Sequence, residues 1–249
     1  MQAAELCFAR EETDKMYKRI ILKLGGETLA PENKVGAFDP ARVDMVADML
    51  VKLQKKGAQL GIVLGGGNIW RGRFTKEMNG ANADQMGMLA TIINALCVAD
   101  AIERKGGKAV VFTAQEMNRF AKLYTRSAAI EALEAGAIVL LSGGSGNPYF
   151  TTDTAAALRA AELDADAIFK GTTVDCVYDK DPSKYPDAKP LKEVSYDDAV
   201  EMRLGVMDTT AFVLCQNQKI PEIRVFSMEN LDNIIRVFDG EDLGTRVHA

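Results

Sequence analysis

Three glycine-rich turns set the chemistry that this chain could do. Gly25-Gly26, Gly65-Gly66-Gly67 and Gly143-Gly144-Ser145-Gly146 each come directly after an apolar, β-favouring run. Glycine lets backbone N–H groups approach an anion, and a helix N-terminus behind the turn adds its positive end. One such turn reads as an ordinary strand-to-helix connection. Three turns whose strands share a parallel sheet open onto one edge and converge on a phosphate-rich ligand. Lys23, directly ahead of the first turn, is either a strand-end lysine with its head in solvent or a point charge for phosphate. Arg71, just past the triple glycine, is a surface charge or a phosphate fork. Asp153 follows Thr151-Thr152 at a helix start, where a capping role competes with a catalytic one. Asp181-Pro182 suits a turn. Carboxylates and a lysine around an anion cradle, without a histidine among them, point to phosphoryl transfer by positioning and electrostatics.

Other chemistries are disfavoured. Gly67 and Gly72 have P-loop spacing, but Arg73-Phe74 follow where Lys and Ser/Thr are required, and Trp70 spoils a dinucleotide fingerprint. The only histidine, His248, is the penultimate residue, on a tail expected to fray, which argues against Ser-His or Cys-His catalysis. Cys7, Cys97, Cys176 and Cys215 lie far apart, which disfavours a zinc site and suits a reducing, cytoplasmic setting. A net charge of -5 without a basic run gives no footprint for nucleic acid. The acidic N-terminus lacks a signal-peptide h-region, and no apolar run is read as membrane-spanning.

The elements that must position these residues alternate regularly. Strands are expected at Arg19 to Leu24, Leu60 to Leu64, Ala109 to Phe112, Ile138 to Leu141, Ala167 to Phe169 and Ile223 to Phe226. Between and after them come helices from Asp39-Pro40 to Gly57, Asp84 to Lys105, Ser127 to Ala135, Thr152 to Leu163, Asp197 to Leu204, Thr209 to Gln218 and Leu231 to Phe238. Val43, Val46, Leu50 and Leu53 recur at helical spacing behind the Asp39 cap and the Pro40 first position. This alternation predicts an α/β fold, a three-layer αβα arrangement around an open, mostly parallel sheet. Residues 1–15 read as an N-terminal extension, expected to be poorly ordered, ahead of a single domain over 16–249 with two lobes. The loop from Tyr178 to Pro190, with three of the seven prolines, is the expected mobile segment.

From Tyr17 to the C-terminus the chain resembles the amino acid kinase superfamily, and within it the bacterial uridylate kinases. The resemblance is carried by KLGGETL, GIVLGGGNIWRG, ADQMGMLATIINAL, GSGNPYFTTDTAAALRAAELDAD, KGTTVDCVYDKDP and VMDTTAF. It implies transfer of the ATP γ-phosphoryl group to UMP, giving UDP and ADP in pyrimidine nucleotide biosynthesis. ATP would then be held by Lys23, Leu24, Gly25, Gly26, Gly67 and Arg71 at its phosphates and by Thr172, Tyr178 and Asp181 at its base and ribose. UMP would be held by Gly66, Asp84, Ser145, Gly146, Asn147, Pro148, Tyr149, Phe150, Thr151 and Thr152, with Asp84 accepting from ribose hydroxyls. The implied catalytic residues are Lys23, Arg71 and Asp153, the last orienting the lysine. The resemblance further implies Mg²⁺ carried by ATP, an acceptor-binding N-terminal lobe, an ATP-binding C-terminal lobe and a homohexamer regulated by GTP (activating) and UTP (inhibiting). The long apolar segment Met86 to Val98 suits burial against both the sheet and a partner. Gly25, Thr173, Cys176 and Gln216 depart from the residues usual in that family. Two other readings remain open at this point: the same fold acting on a different acceptor, and a non-catalytic anion-storage protein.

Overall fold

The computed structural model describes residues 17–33, 35–71 and 77–249, so the expected extension over 1–15 lies outside the described residues. The elements are β1 (Arg19–Leu24), a 3₁₀ turn (Gly26–Leu29), α1 (Pro40–Lys55), β2 (Gln59–Leu64), α2 (Gly80–Arg104), β3 (Ala109–Thr113), β4 (Lys122–Leu123) and α3 (Arg126–Glu134). They continue with β5 (Ile138–Ser142), α4 (Thr152–Glu162), β6 (Ala167–Thr172), β7 (Val177–Tyr178), β8 (Pro190–Leu191), β9 (Glu193–Ser195) and α5 (Tyr196–Glu201). α6 (Thr209–Asn217), β10 (Glu222–Ser227), α7 (Asp232–Phe238) and β11 (Thr245–His248) complete the chain. Among the described residues nine strands form one sheet in the order β4-β3-β5-β2-β1-β6-β10-β11-β9, and β7 and β8 pair separately. Within the large sheet only β10 and β11 run antiparallel, so the predicted mostly parallel α/β architecture holds.

Two apolar layers cover the sheet. One packs α1, α2 and α7 on Ile20, Leu22, Leu24, Leu60, Ile62 and Phe169, and the other packs α3, α4, α5 and α6 on Ile21, Val63, Val139 and Ile168. Asp39 caps α1 by accepting from the Ala41 and Arg42 amides, and the predicted Val43, Val46, Leu50 and Leu53 are all buried. Each such side chain contributes about 1.5–3 kcal/mol on leaving water. Alternation along a strand then decides where charge can emerge. In β1, Leu22 and Leu24 point to the α1 layer, so Lys23 shares the opposite face with Ile21, towards α4. In β6, Phe169 faces the α1 layer, so Lys170 likewise faces α4.

Several expectations change. The C-terminal tail does not fray: β11 lies between β10 and β9, with His248 opposite Glu222 and Ser195. Because Glu222 begins β10, His248 sits at the sheet edge opposite to Lys23, and its exclusion from the site stands on position rather than disorder. The Tyr178–Pro190 segment is closed by the antiparallel β7–β8 pair and by Lys180 bound to Asp187 at 2.6 Å. α2 starts at Gly80, capped by Asn79, and by length and composition is apolar enough to cross a membrane, contrary to the sequence reading. Half of its most apolar window is buried inside the protein, as in a core helix.

Candidate active site

The carboxyl ends of β1, β2, β5, β6 and β10 open together, and Asp153 stands at their centre. Thr151 caps α4 by accepting from the Asp153 and Thr154 amides, which places Asp153 in the first helical turn. There its carboxylate feels the positive helix end. Asp153 Oδ1 binds Lys23 Nζ at 2.9 Å and Lys170 Nζ at 2.5 Å. The two lysines are in register on neighbouring parallel strands, Lys23 opposite Lys170. Their side chains are 11% and 9% exposed and that of Asp153 15%, so one carboxylate holds two ammonium groups largely out of water. Burial alone would raise the Asp153 carboxyl, but the Lys23 and Lys170 charges outweigh it and hold it below the ordinary value. For Lys170, burial and then the like charge of Lys23 push the ammonium down to about 8, against the pull of Asp153. The Lys23–Asp153 pairing expected from the sequence is present, and Lys170 is the partner that the reading missed. Its signal was a lone lysine at the end of an apolar strand before glycine, the same pattern that marked Lys23.

The glycine turns are held by α2. Asn94, fully buried, donates to the Gly65 carbonyl at 2.7 Å and to Asn68 Oδ1 at 2.8 Å. Thr91 Oγ1 accepts from the Gly143 amide at 2.8 Å. A Cβ on Gly66 would lie 2.8 Å from the Gly87 carbonyl oxygen and 2.9 Å from Ala90 Cβ, so helix and loop touch where only glycine fits. This accounts physically for the ADQMGMLATIINAL block: it is the brace behind two anion turns. Arg71 does not stand free; its guanidinium binds Glu27 across the opening and donates to the Gly67 carbonyl at 3.1 Å. Glu27 was not singled out in the sequence, and here it holds the place that an anion would take on Arg71.

On the α2 side, Asp84 Oδ2 accepts from the Tyr149 amide at 2.7 Å, so the two stretches assigned to one ligand do meet. Tyr149 has a φ of 70°, the left-handed region that costs a non-glycine residue about 1 kcal/mol or more. Ser145 Oγ and the Asn147 backbone close a small turn, and Tyr149 and Phe150 project into solvent at 75% and 50% exposure. Thr151 Oγ1 donates to Asp208 at 2.5 Å rather than pointing into the opening. An apolar recess of about 290 Å³, lined by Gln85, Met88, Ile92, Gly143, Gly146 and Pro148, adjoins this stretch.

On the β6–β10 side, a groove of about 440 Å³ is lined by Thr173, Val174, Tyr178, Ser227, Asn230 and Asn233, among others. That is within the usual range for a ligand site. Tyr178 therefore reaches the groove, its hydroxyl donating to Asp175 at 2.9 Å. Thr172 ends β6 and turns its hydroxyl to the Val174 carbonyl at 2.7 Å. Asp181 is occupied in its own turn, accepting from the Ser183 amide and hydroxyl and pairing with Lys184 at 3.2 Å, which is the plain turn role. Among the described residues no cluster of three or more His, Cys, Asp or Glu is placed to hold a metal. Glu27 and Asp153 are both paired to cations, which suits Mg²⁺ that arrives with phosphate and water oxygens as its ligands.

Residues 18–227 match the amino acid kinase family. A curated uridylate kinase from Bacteroides thetaiotaomicron is 44% identical over 93% of this chain and 98% of its own. The UMP kinase of Bacillus anthracis superposes with a TM-score of 0.89 at 33% identity, covering 93% of this chain and 96% of that one. The UMP kinase of Ureaplasma parvum gives 0.87 at 34% identity, over 94% and 99%. The glycine turns, the lysine at the end of β1 and the elements from β1 to β10 lie within the matched stretch, so the chain belongs to the amino acid kinase family, in the branch of the uridylate kinases.

Proposed function

We propose that this enzyme transfers the γ-phosphoryl group of ATP to UMP, forming ADP and UDP, and that Lys23, Lys170 and Asp153 are the centre of the transfer. One observation supports this most: a single carboxylate holds two ammonium groups at the sheet edge where three glycine turns converge, in a chain of uridylate kinase ancestry.

The chemistry needs little more than charge and alignment. The UMP phosphate loses its second proton near a pH of about 6, so at neutral pH it is already a dianionic nucleophile and needs no general base. What opposes reaction is repulsion between two anionic phosphates. Lys23 and Lys170 answer it from below the opening, and Asp153 keeps both ammonium groups in one place, ready before substrate arrives. Arg71, exchanging Glu27 for a phosphate, adds a third cation. The amides of Gly25, Gly26 and Gly67, with the Leu24 strand end, cradle the ATP phosphates. Mg²⁺ bound with ATP would reduce the charge of those phosphates further.

The acceptor is assigned to the β2–α2–β5 side, with Gly66, Asp84 and the stretch from Ser145 to Thr152 around it. Asp84, with one oxygen on the Tyr149 amide, keeps the other for a ribose hydroxyl. ATP is assigned to the β6–β10 side, with Tyr178 in the base groove, Thr172 at the end of β6 next to it and Asp181 shaping the turn beside it. Four exposed apolar residues along α2 (Met86, Leu89, Ile93 and Leu96, 37–49% exposed) support assembly into a homohexamer, since patches of this kind mark interfaces. GTP activation and UTP inhibition belong to the same reading, UTP competing through its uracil and ribose. Cys97, Cys176 and Cys215 are free thiols, as suits a reducing cytoplasm.

Initial rates with UMP, CMP and dCMP test the assignment. UMP is the expected acceptor, because CMP offers an amino donor where UMP has a carbonyl acceptor. Equal turnover of CMP rejects it, and a UTP inhibition that added UMP cannot relieve rejects the shared pocket.

A further inference from the structure

The aspartate of the segment VMDTTAF reaches the start of α4 from outside the glycine turns. Asp208 caps α6, accepting from the Ala211 amide at 2.9 Å. The same carboxylate accepts from the Thr151 hydroxyl at 2.5 Å and from the Thr154 hydroxyl at 2.8 and 2.9 Å. Thr154 is buried. Thr151 Oγ1, its proton committed to Asp208, turns its lone pairs to the Asp153 amide at 3.0 Å and to the Thr154 amide at 3.4 Å. A continuous series of hydrogen bonds thus runs from Asp208 through Thr151 to the backbone of Asp153, the residue that holds Lys23 and Lys170.

We infer that Asp208 is a positioning residue for the phosphoryl transfer, acting through Thr151 on Asp153 and touching neither substrate. The inference rests on the reading of Asp153 given above. The direction of the bonds is what matters. A carboxylate has only acceptors, so it takes both threonine protons and the Ala211 amide together. Each threonine hydroxyl then has one rotamer, and the first turn of α4 is held from outside the helix. A helix start held only by its own cap has a single side chain to satisfy its free amides. Here the tether spans 55 residues of sequence, from Asp153 to Asp208, and ties the turn to a second helix. Placement errors of about 1 Å at a transferring group cost on the order of 10²-fold in rate, so rigidity at this turn bears on catalysis directly.

Asp208→Asn separates positioning from folding. Asparagine caps a helix as well as aspartate does, so α6 keeps its start. Its amide group, however, presents donors to Thr151, whose oxygen already accepts two amides. The expected result is a kcat lower by at least tenfold, KM for ATP within about threefold of wild type and an unchanged circular dichroism spectrum. In the Asp153→Asn background the same change is expected to cost less than threefold, because the residue it acts through is already lost. A wild-type kcat in Asp208→Asn, or losses that multiply in the double variant, would overturn the inference. Wild-type protein that forms no UDP would instead defeat the functional reading itself. Should Asp208→Asn fail to fold, Thr154→Val and Thr154→Ser carry the test: serine keeps the donor to Asp208 that anchors the first turn of α4 and is expected to retain kcat within threefold, and valine to lose tenfold. Equal activity of those two variants would also overturn the inference.

Discussion

Lys23 and Lys170 face each other in register across the β1–β6 pair, and Asp153 Oδ1 lies against both ammonium groups. Two like charges this close and this buried are tolerable only with the carboxylate present. Asp153→Asn removes that charge and leaves both cations uncompensated, so a stability loss on the order of 3 kcal/mol is expected, with kcat reduced by 10² or more. Adding Lys170→Met to Asp153→Asn should restore most of the stability and none of the activity. Thermal melts of the two variants decide it, and an Asp153→Asn protein as stable as wild type would contradict the arrangement.

Lys23→Ala is expected to cut kcat by a factor on the order of 10² or more with the fold intact, since its charge acts on the transferring group. Steady-state rates at saturating ATP and UMP check this, and a kcat within threefold of wild type would favour a non-catalytic role.

The pH dependence follows from Lys170. Its ammonium is pushed down to about 8 by burial and by Lys23, so the free enzyme loses that charge as pH rises through about 8. kcat/KM for ATP should fall over the same range, because that ratio reports the free enzyme. Lys170→Arg should carry the plateau to higher pH, since a guanidinium stays protonated. The stability effect has the opposite trend. Between about 8 and the ordinary lysine value of 10.5 the unfolded chain binds a proton that the folded one lacks, so the Lys170 contribution to stability rises with pH. The stability gained by Lys170→Met should therefore shrink between pH 7 and pH 10.

Gly26→Ala tests the cradle. A Cβ there would fall on Asn68 Oδ1, 2.7 Å from the Gly65 carbonyl oxygen and 3.0 Å from the Gly67 amide nitrogen, so the triple-glycine turn must move. KM for ATP is expected to rise at least tenfold while UMP binding, measured by calorimetry, changes less than threefold.

Ile93→Glu places a charge in the exposed stripe of α2, where Ile93 is 47% exposed. Light scattering should report an assembly for wild type and a smaller species for the variant, with unchanged circular dichroism. Wild type that is monomeric at micromolar concentration would refute the assembly.

Much of this site was legible from local pattern. The glycine turns, the lysine ahead of Gly25-Gly26 and the aspartate behind Thr151-Thr152 are each read from a few neighbouring residues, and strand alternation explains why Lys23 faces α4. Lys170 obeys the same rule, but the apolar run that marks its strand stops at Phe169, one residue short of the charge. Glu27 on Arg71 and Asp208 on Thr151 and Thr154 were not legible. These pairings join residues 44, 57 and 54 positions apart, and no periodicity encodes them. The ordered C-terminus was missed for a related reason: β11 is four residues long and exists only because β10 and β9 flank it.

UMP as the acceptor of the phosphoryl group is the central claim. Purified enzyme given ATP, Mg²⁺ and UMP, with nucleotides separated by ion-exchange chromatography, should form UDP and ADP in equal amounts. Lys23→Ala should slow both by at least 10²-fold. ADP formed without UDP, or UDP formed at the same rate by Lys23→Ala and wild type, would contradict it.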